Sequence, residues 1–225
     1  MKEDNIILDN IDRRFKKDIY KTLKEVIKKY PKLNNSICLV SDIDYLIMYL
    51  NNRYIESKSN YEPDDKTILT NVSTWFPRDN KSINFYDSIL YYKPDFIGIG
   101  VNSLVKYKNA TRILKKDYNN NWCYSRNIKD AVYHEIGHIF TKLFKLAYNP
   151  KLLEYLEDNL KNNKYLSSYS KINIEELIAE AFSKYSYDPN YSEFVYTIGR
   201  IIEEYYLKFE DTELFNISNK KLLKK

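Results

Sequence analysis

Apolar residues recur at helical spacing from Ile11 through Phe15, Ile19, Leu23, Val26, Ile27 and Tyr30. Pro31 follows as a stop, so the chain is expected to open with an amphipathic helix. The period then changes. Ser36-Ile37-Cys38-Leu39-Val40 is a short apolar run ahead of Ser41-Asp42, which predicts a strand whose end caps a helix through Asp44, Ile47, Met48 and Leu50. From about 53 to 95, Pro63, Pro77 and Pro94 separate Ile68-Leu69, Trp75-Phe76 and a stretch from Ile83 to Tyr92, a pattern of strands and loops. Between Asp95 and Asn102, Ile97, Ile99 and Val101 alternate with Gly98 and Gly100. That reads as a strand with one thin face, where another backbone can approach closely.

Beyond residue 105 the spacing is helical. One helix is expected over Ala110 to Tyr118, broken by Asn119-Asn120-Asn121, and a second from near Asn127 through Phe144, with Pro150 closing the unit. Further helices are expected over Leu152 to Leu160, Ile174 to Tyr185 and Tyr191 to Phe209. Strands early and helices late predict an α+β fold. With no repeat and no convincing linker, we read residues 1–225 as a single domain with two facing lobes, roughly 1–146 and 147–225.

Composition narrows the function. A chain of 225 residues that is 44% hydrophobic can bury a sizeable core. The 23 tyrosines are spread along the whole chain, so they read as core and border residues rather than a base-stacking surface. A net charge of +5, with 36 basic residues among 31 acidic ones, is too mild to imply nucleic acid, and the terminal Lys220-Lys221-Leu222-Leu223-Lys224-Lys225 reads as a solvated tail. No segment approaches the roughly 18 apolar residues of a membrane span. The start, Met1 to Asp9, lacks the basic flank and apolar run of a signal peptide, so as written the chain reads as made in the cytosol, or as secreted if a leader was removed. Cys38 and Cys123 have no paired spacing and can be two thiols or one bridge.

The chemistry lies in His134-Glu135-Ile136-Gly137-His138. Residues four apart on a helix share a face, so His134 and His138 can each offer a ring nitrogen to one zinc ion. Glu135, turned away around the helix, can take a proton from a water at the metal without being a ligand. Gly137 inside a helix costs up to about 1 kcal/mol relative to Ala, which points to close packing or clearance for substrate. The competing reading is two solvated histidines that happen to stand four apart. The chain has only 2 His, and random placement gives this spacing with a following Glu on the order of once in a thousand, so the metal site is preferred. A catalytic zinc needs a third protein ligand and an open position, and with no His left the third must be a carboxylate. Glu176 and Glu180 share a face in Glu175-Glu176-Leu177-Ile178-Ala179-Glu180-Ala181-Phe182. One can bind the metal while the other takes the N–H of a ligating imidazole, and the small Ala179 and Ala181 allow close helix approach.

The segment Tyr169-Ser170-Lys171-Ile172-Asn173-Ile174-Glu175-Glu176-Leu177-Ile178-Ala179-Glu180-Ala181-Phe182 resembles the catalytic domains of the zinc peptidase family that includes anthrax lethal factor and the Pro-Pro endopeptidases. In that family a Tyr precedes the ligand Glu by seven residues and an Ala-Glu-Ala-Phe-like run follows. The resemblance covers roughly residues 95 to 205, while the His-Glu-x-x-His element is shared with many zincins. Leu177-Ile178 departs from the aromatic pair common there. The resemblance implies a zincin-like fold, one Zn2+, His134, His138 and Glu176 as ligands, Glu180 supporting a ligating imidazole, Glu135 as general base and Tyr169 as oxyanion or leaving-group partner. It further implies an edge strand, Ile97, Ile99, Gly100 and Val101, gripping an extended peptide through main-chain bonds. Two other readings remain: an intracellular peptidase that cuts a phage repressor, and a non-catalytic phage or toxin protein that keeps the metal as scaffold.

Overall fold

A computed structural model of the chain describes residues 6–42, 45–46, 48–49, 89–93, 96–101, 106–160 and 166–209. The strands and loops expected between 53 and 88, and the basic tail, lie outside them.

The opening helix, α1 (Arg13–Lys29), begins where the Asp12 carboxylate accepts the Arg14 N–H at 2.9 Å, and Lys28 and Lys29 complement its C-terminal dipole. Its buried stripe is Phe15, Ile19, Leu23 and Val26. Four strands follow the expected alternation only in part. They are β1 (Ile6–Ile7), β2 (Ile37–Asp42), β3 (Ile89–Lys93) and β4 (Phe96–Val101), in the spatial order β1-β2-β4-β3. β1, β2 and β4 run parallel, and β3 is antiparallel to β4. The helix cap expected after β2 is present, since Asp42 Oδ1 accepts the Tyr45 N–H at 2.9 Å.

The edge position expected for residues 97 to 101 is corrected by this order. β4 pairs with β2 through Ile97, Ile99, Gly100 and Val101, and the same residues except Val101 pair with β3 on the other side. Main-chain groups committed to two neighbours cannot grip a third strand.

Among the described residues, a one-turn helix at Leu33–Ser36 precedes β2, and five longer helices follow the sheet: α2 (Tyr107–Asn119), α3 (Ile128–Leu143), α4 (Pro150–Leu160), α5 (Ile174–Tyr187) and α6 (Glu193–Lys208). Mostly helical with a small sheet, the architecture is α+β. Pro150 proves to be the first residue of α4, where its missing N–H matters least, instead of a stop after α3. Three of these helices begin at a polar side-chain cap: Asn127 for α3, Asn173 for α5 and Ser192 for α6. A cluster of buried rings joins α1 to the late helices. Tyr30 meets Phe140, Phe182 and Tyr206 edge-on or tilted, with centroids 5.1, 5.8 and 5.1 Å away.

α3 and α5 touch at backbone distance. A Cβ added to Gly137 would lie 2.7 Å from Ala179 Cα and 3.0 Å from its carbonyl oxygen. The glycine is therefore explained by helix packing. A second tie, Ser183 Oγ donating to the Asp130 carbonyl at 2.8 Å, fixes the same pair of helices further along.

Candidate metal centre

α3 presents His134 and His138 one turn apart on the side facing α5, and their Nε2 atoms stand 3.0 Å from each other. Glu176 reaches them from the first turn of α5. Its Oε2 lies 3.1 Å from His134 Nε2 and 3.2 Å from His138 Nε2. Its backbone is fixed there because Asn173 Oδ1 accepts the Glu176 N–H at 2.9 Å. Among the described residues this is the group of His, Cys, Asp and Glu side chains placed to share one cation.

The chemistry of the three atoms decides what fits between them. Two neutral imidazoles and a carboxylate converge with lone pairs on one point and repel unless a proton or a cation lies there. Glu176 Oε2 is buried and takes no hydrogen bond beyond facing the two rings. Donors around a tetrahedral zinc at roughly 2.0–2.1 Å stand about 3.3 Å apart, close to the separations present. Two imidazoles and one carboxylate suit zinc, and the donor set alone also accommodates other divalent transition metals.

The electrostatics agree with a site built for positive charge. Burial pushes His134 down, but its bond to Glu176 and the charges of Glu135, Glu176 and Glu180 outweigh this and raise it above the ordinary 6.5. Burial pushes Glu176 up, and the two imidazoles overcome it, holding the carboxyl far below the usual carboxylate range.

The triad opens onto a cavity of about 290 Å³ that Glu135, Tyr169, Lys142, Glu175 and Glu180 also line. Glu135 is half-buried and, one residue on from His134, is turned roughly 100° around the helix. Burial raises its carboxyl against the pull of the two imidazoles, which suits a group that must accept a proton. Tyr169 opens the short 3₁₀ turn Tyr169–Lys171 that leads into α5. Its ring centroid is 6.0 Å from that of His134. Burial, then the charges of Glu176 and Glu135, hold the phenol well above its usual range, so it stays a donor.

The place expected of Glu180 needs correction. Its carboxylate accepts the Tyr124 N–H at 2.8 Å and the Ser167 hydroxyl at 2.6 Å, partners other than the imidazole expected for it. Ile99 and Val101 do line the cavity, but with side chains and not as a free strand edge. Cys123 is buried, with its sulfur 3.7 Å from the Ser125 carbonyl oxygen. Sequence reasoning missed Lys142 and Glu175, an ion pair that joins α3 to α5 at the cavity. The signal was present: Lys142 stands one turn beyond His138 and Glu175 adjoins Glu176. Comparison with models of known protein families, with characterised proteins and with solved structures gave no significant match.

Proposed function

We propose that the chain is a zinc-dependent endopeptidase with a zincin-like catalytic domain. The observation that carries this reading is the convergence of His134, His138 and Glu176 from two helices within 3.2 Å, beside a cavity that also receives Glu135 and Tyr169. A scaffold metal needs the three ligands but neither an unbound carboxylate nor a protonated phenol next to them.

Bound by His134, His138 and Glu176, zinc would supply a Lewis acid for the scissile carbonyl and for a water. Glu135 takes the proton of the attacking water and passes it to the leaving nitrogen, a task matched to a carboxyl whose pKa is raised by burial. Tyr169 donates its hydroxyl hydrogen to the oxyanion that develops on the carbonyl oxygen. Its ring, 6.0 Å from that of His134, stands beside the metal ligands. An extended substrate is received by the outer edge of β3, the last strand in the described order and one that lies against α3. β3 thus takes over the part first expected of residues 97 to 101.

Digestion of a mixed peptide library tests the reading. Internal cleavage is expected from the purified chain, stopped by a chelator and restored by added zinc. Glu135→Ala should retain bound metal and fold while losing about 10³-fold in turnover, within the range typical of a general base. Equal turnover in Glu135→Ala and the parent chain would end the proposal.

A further inference from the structure

We propose that Glu180 and Ser167 are positioning residues for Tyr169, a role that rests on the peptidase reading for its catalytic consequence. Glu180 is buried on α5, one turn beyond Glu176. Its two oxygens reach two separate segments: the Tyr124 N–H at 2.8 Å and the Ser167 hydroxyl at 2.6 Å. The turn that carries Tyr169 is closed by the same serine. Ser170 Oγ accepts the N–H groups of Leu166 and Ser167 at 3.1 and 3.0 Å, and Ser167 Oγ accepts the Ser170 N–H at 3.1 Å.

That turn is also bonded to the segment before Tyr124. The Ser168 N–H donates to the Asn121 carbonyl at 2.9 Å, and the Tyr169 N–H donates to the Trp122 carbonyl at 2.7 Å. A single buried carboxylate therefore locks together both strands of this short backbone ladder and ties them to the helix that presents Glu176. The distance between the Tyr169 hydroxyl and the metal ligands is set by this tie. Glu180 and Ser167 need touch neither substrate nor metal to govern where the phenol points.

Two measurements on the full chain test this. In Ser167→Ala, hydrogen exchange at the Tyr169 amide should quicken by about tenfold or more, because its local opening becomes easier, while zinc affinity stays within about threefold of the parent. Turnover should fall about tenfold in kcat with KM nearly unchanged, and the same substitution placed on Tyr169→Phe should cost less than about twofold more. Unchanged exchange at Tyr169, or a full additional loss on the Tyr169→Phe background, would overturn the assignment. If Ser167→Ala does not fold, Glu180→Gln removes the same charged acceptor without changing side-chain size and is read the same way. The exchange measurement needs no peptidase activity. A parent chain that cleaves no peptide therefore rejects the peptidase reading alone, and exchange still decides whether the tie exists.

Discussion

The two halves of the metal triad are assembled by different means. His134 and His138 belong to one helix, and the pitch of α3 alone brings their Nε2 atoms to 3.0 Å. Glu176 comes from another helix and arrives only because α5 starts at Asn173 and lies against Gly137 at backbone distance. The local half is therefore robust to packing, whereas the distant half depends on it. The site should fail first where α3 meets α5.

Gly137→Val breaks the comparison most sharply. The added side chain meets the Ala179 backbone, α5 is pushed away, and Glu176 leaves the two imidazoles. Zinc affinity is expected to fall by more than the roughly 10–100-fold that follows loss of a group merely supporting a ligand, because a ligand itself is displaced, while helicity by circular dichroism is largely kept. Affinity near that of the parent would mean that the helix contact does not place Glu176.

Proton competition sharpens the picture further. His134 is raised above its ordinary 6.5, so in the metal-free protein its contribution to stability is complete below 6.5 and is lost as pH rises through the raised value. Glu176 is lowered from 4.5, so its contribution is present above 4.5 and is lost as pH falls toward its depressed value. The metal-free pairing is therefore strongest between about 4.5 and 6.5. Zinc requires a neutral His134, and below the raised pKa its affinity should drop about tenfold per pH unit for one displaced proton. Calorimetric titration across that range checks the slope.

Asn173→Ala has the smallest expected effect. It removes the cap that holds the Glu176 backbone and should destabilise the protein by about 1 kcal/mol, read from denaturant unfolding. A modest loss of zinc affinity should accompany it, because the first turn of α5 frays around Glu176. Asn127→Ala is the matched control, since it weakens the cap of α3 seven residues or more from either histidine and should leave zinc affinity nearly unchanged.

The same division explains what could be read from the sequence. Helical spacing located α1 and α3, and the His134-Glu135-His138 group followed from residue types four positions apart. Alternation at Ile97, Ile99 and Val101 identified a strand but carried no information on its neighbours. Strand order is set by pairing with distant segments, and β4 proved to lie between β2 and β3. Glu180 was picked out as important, yet one of its partners is a main-chain N–H at Tyr124, which any residue but proline supplies. The other, Ser167, sits in a serine-rich turn with nothing to distinguish it from solvated loop residues.

X-ray absorption of the zinc-loaded chain tests the central claim most directly. The account predicts one zinc per molecule with two imidazole nitrogens and carboxylate oxygen at roughly 2.0–2.2 Å, and loss of the carboxylate contribution in Glu176→Ala. A spectrum with sulfur at roughly 2.3 Å, or one unchanged by Glu176→Ala, would contradict it.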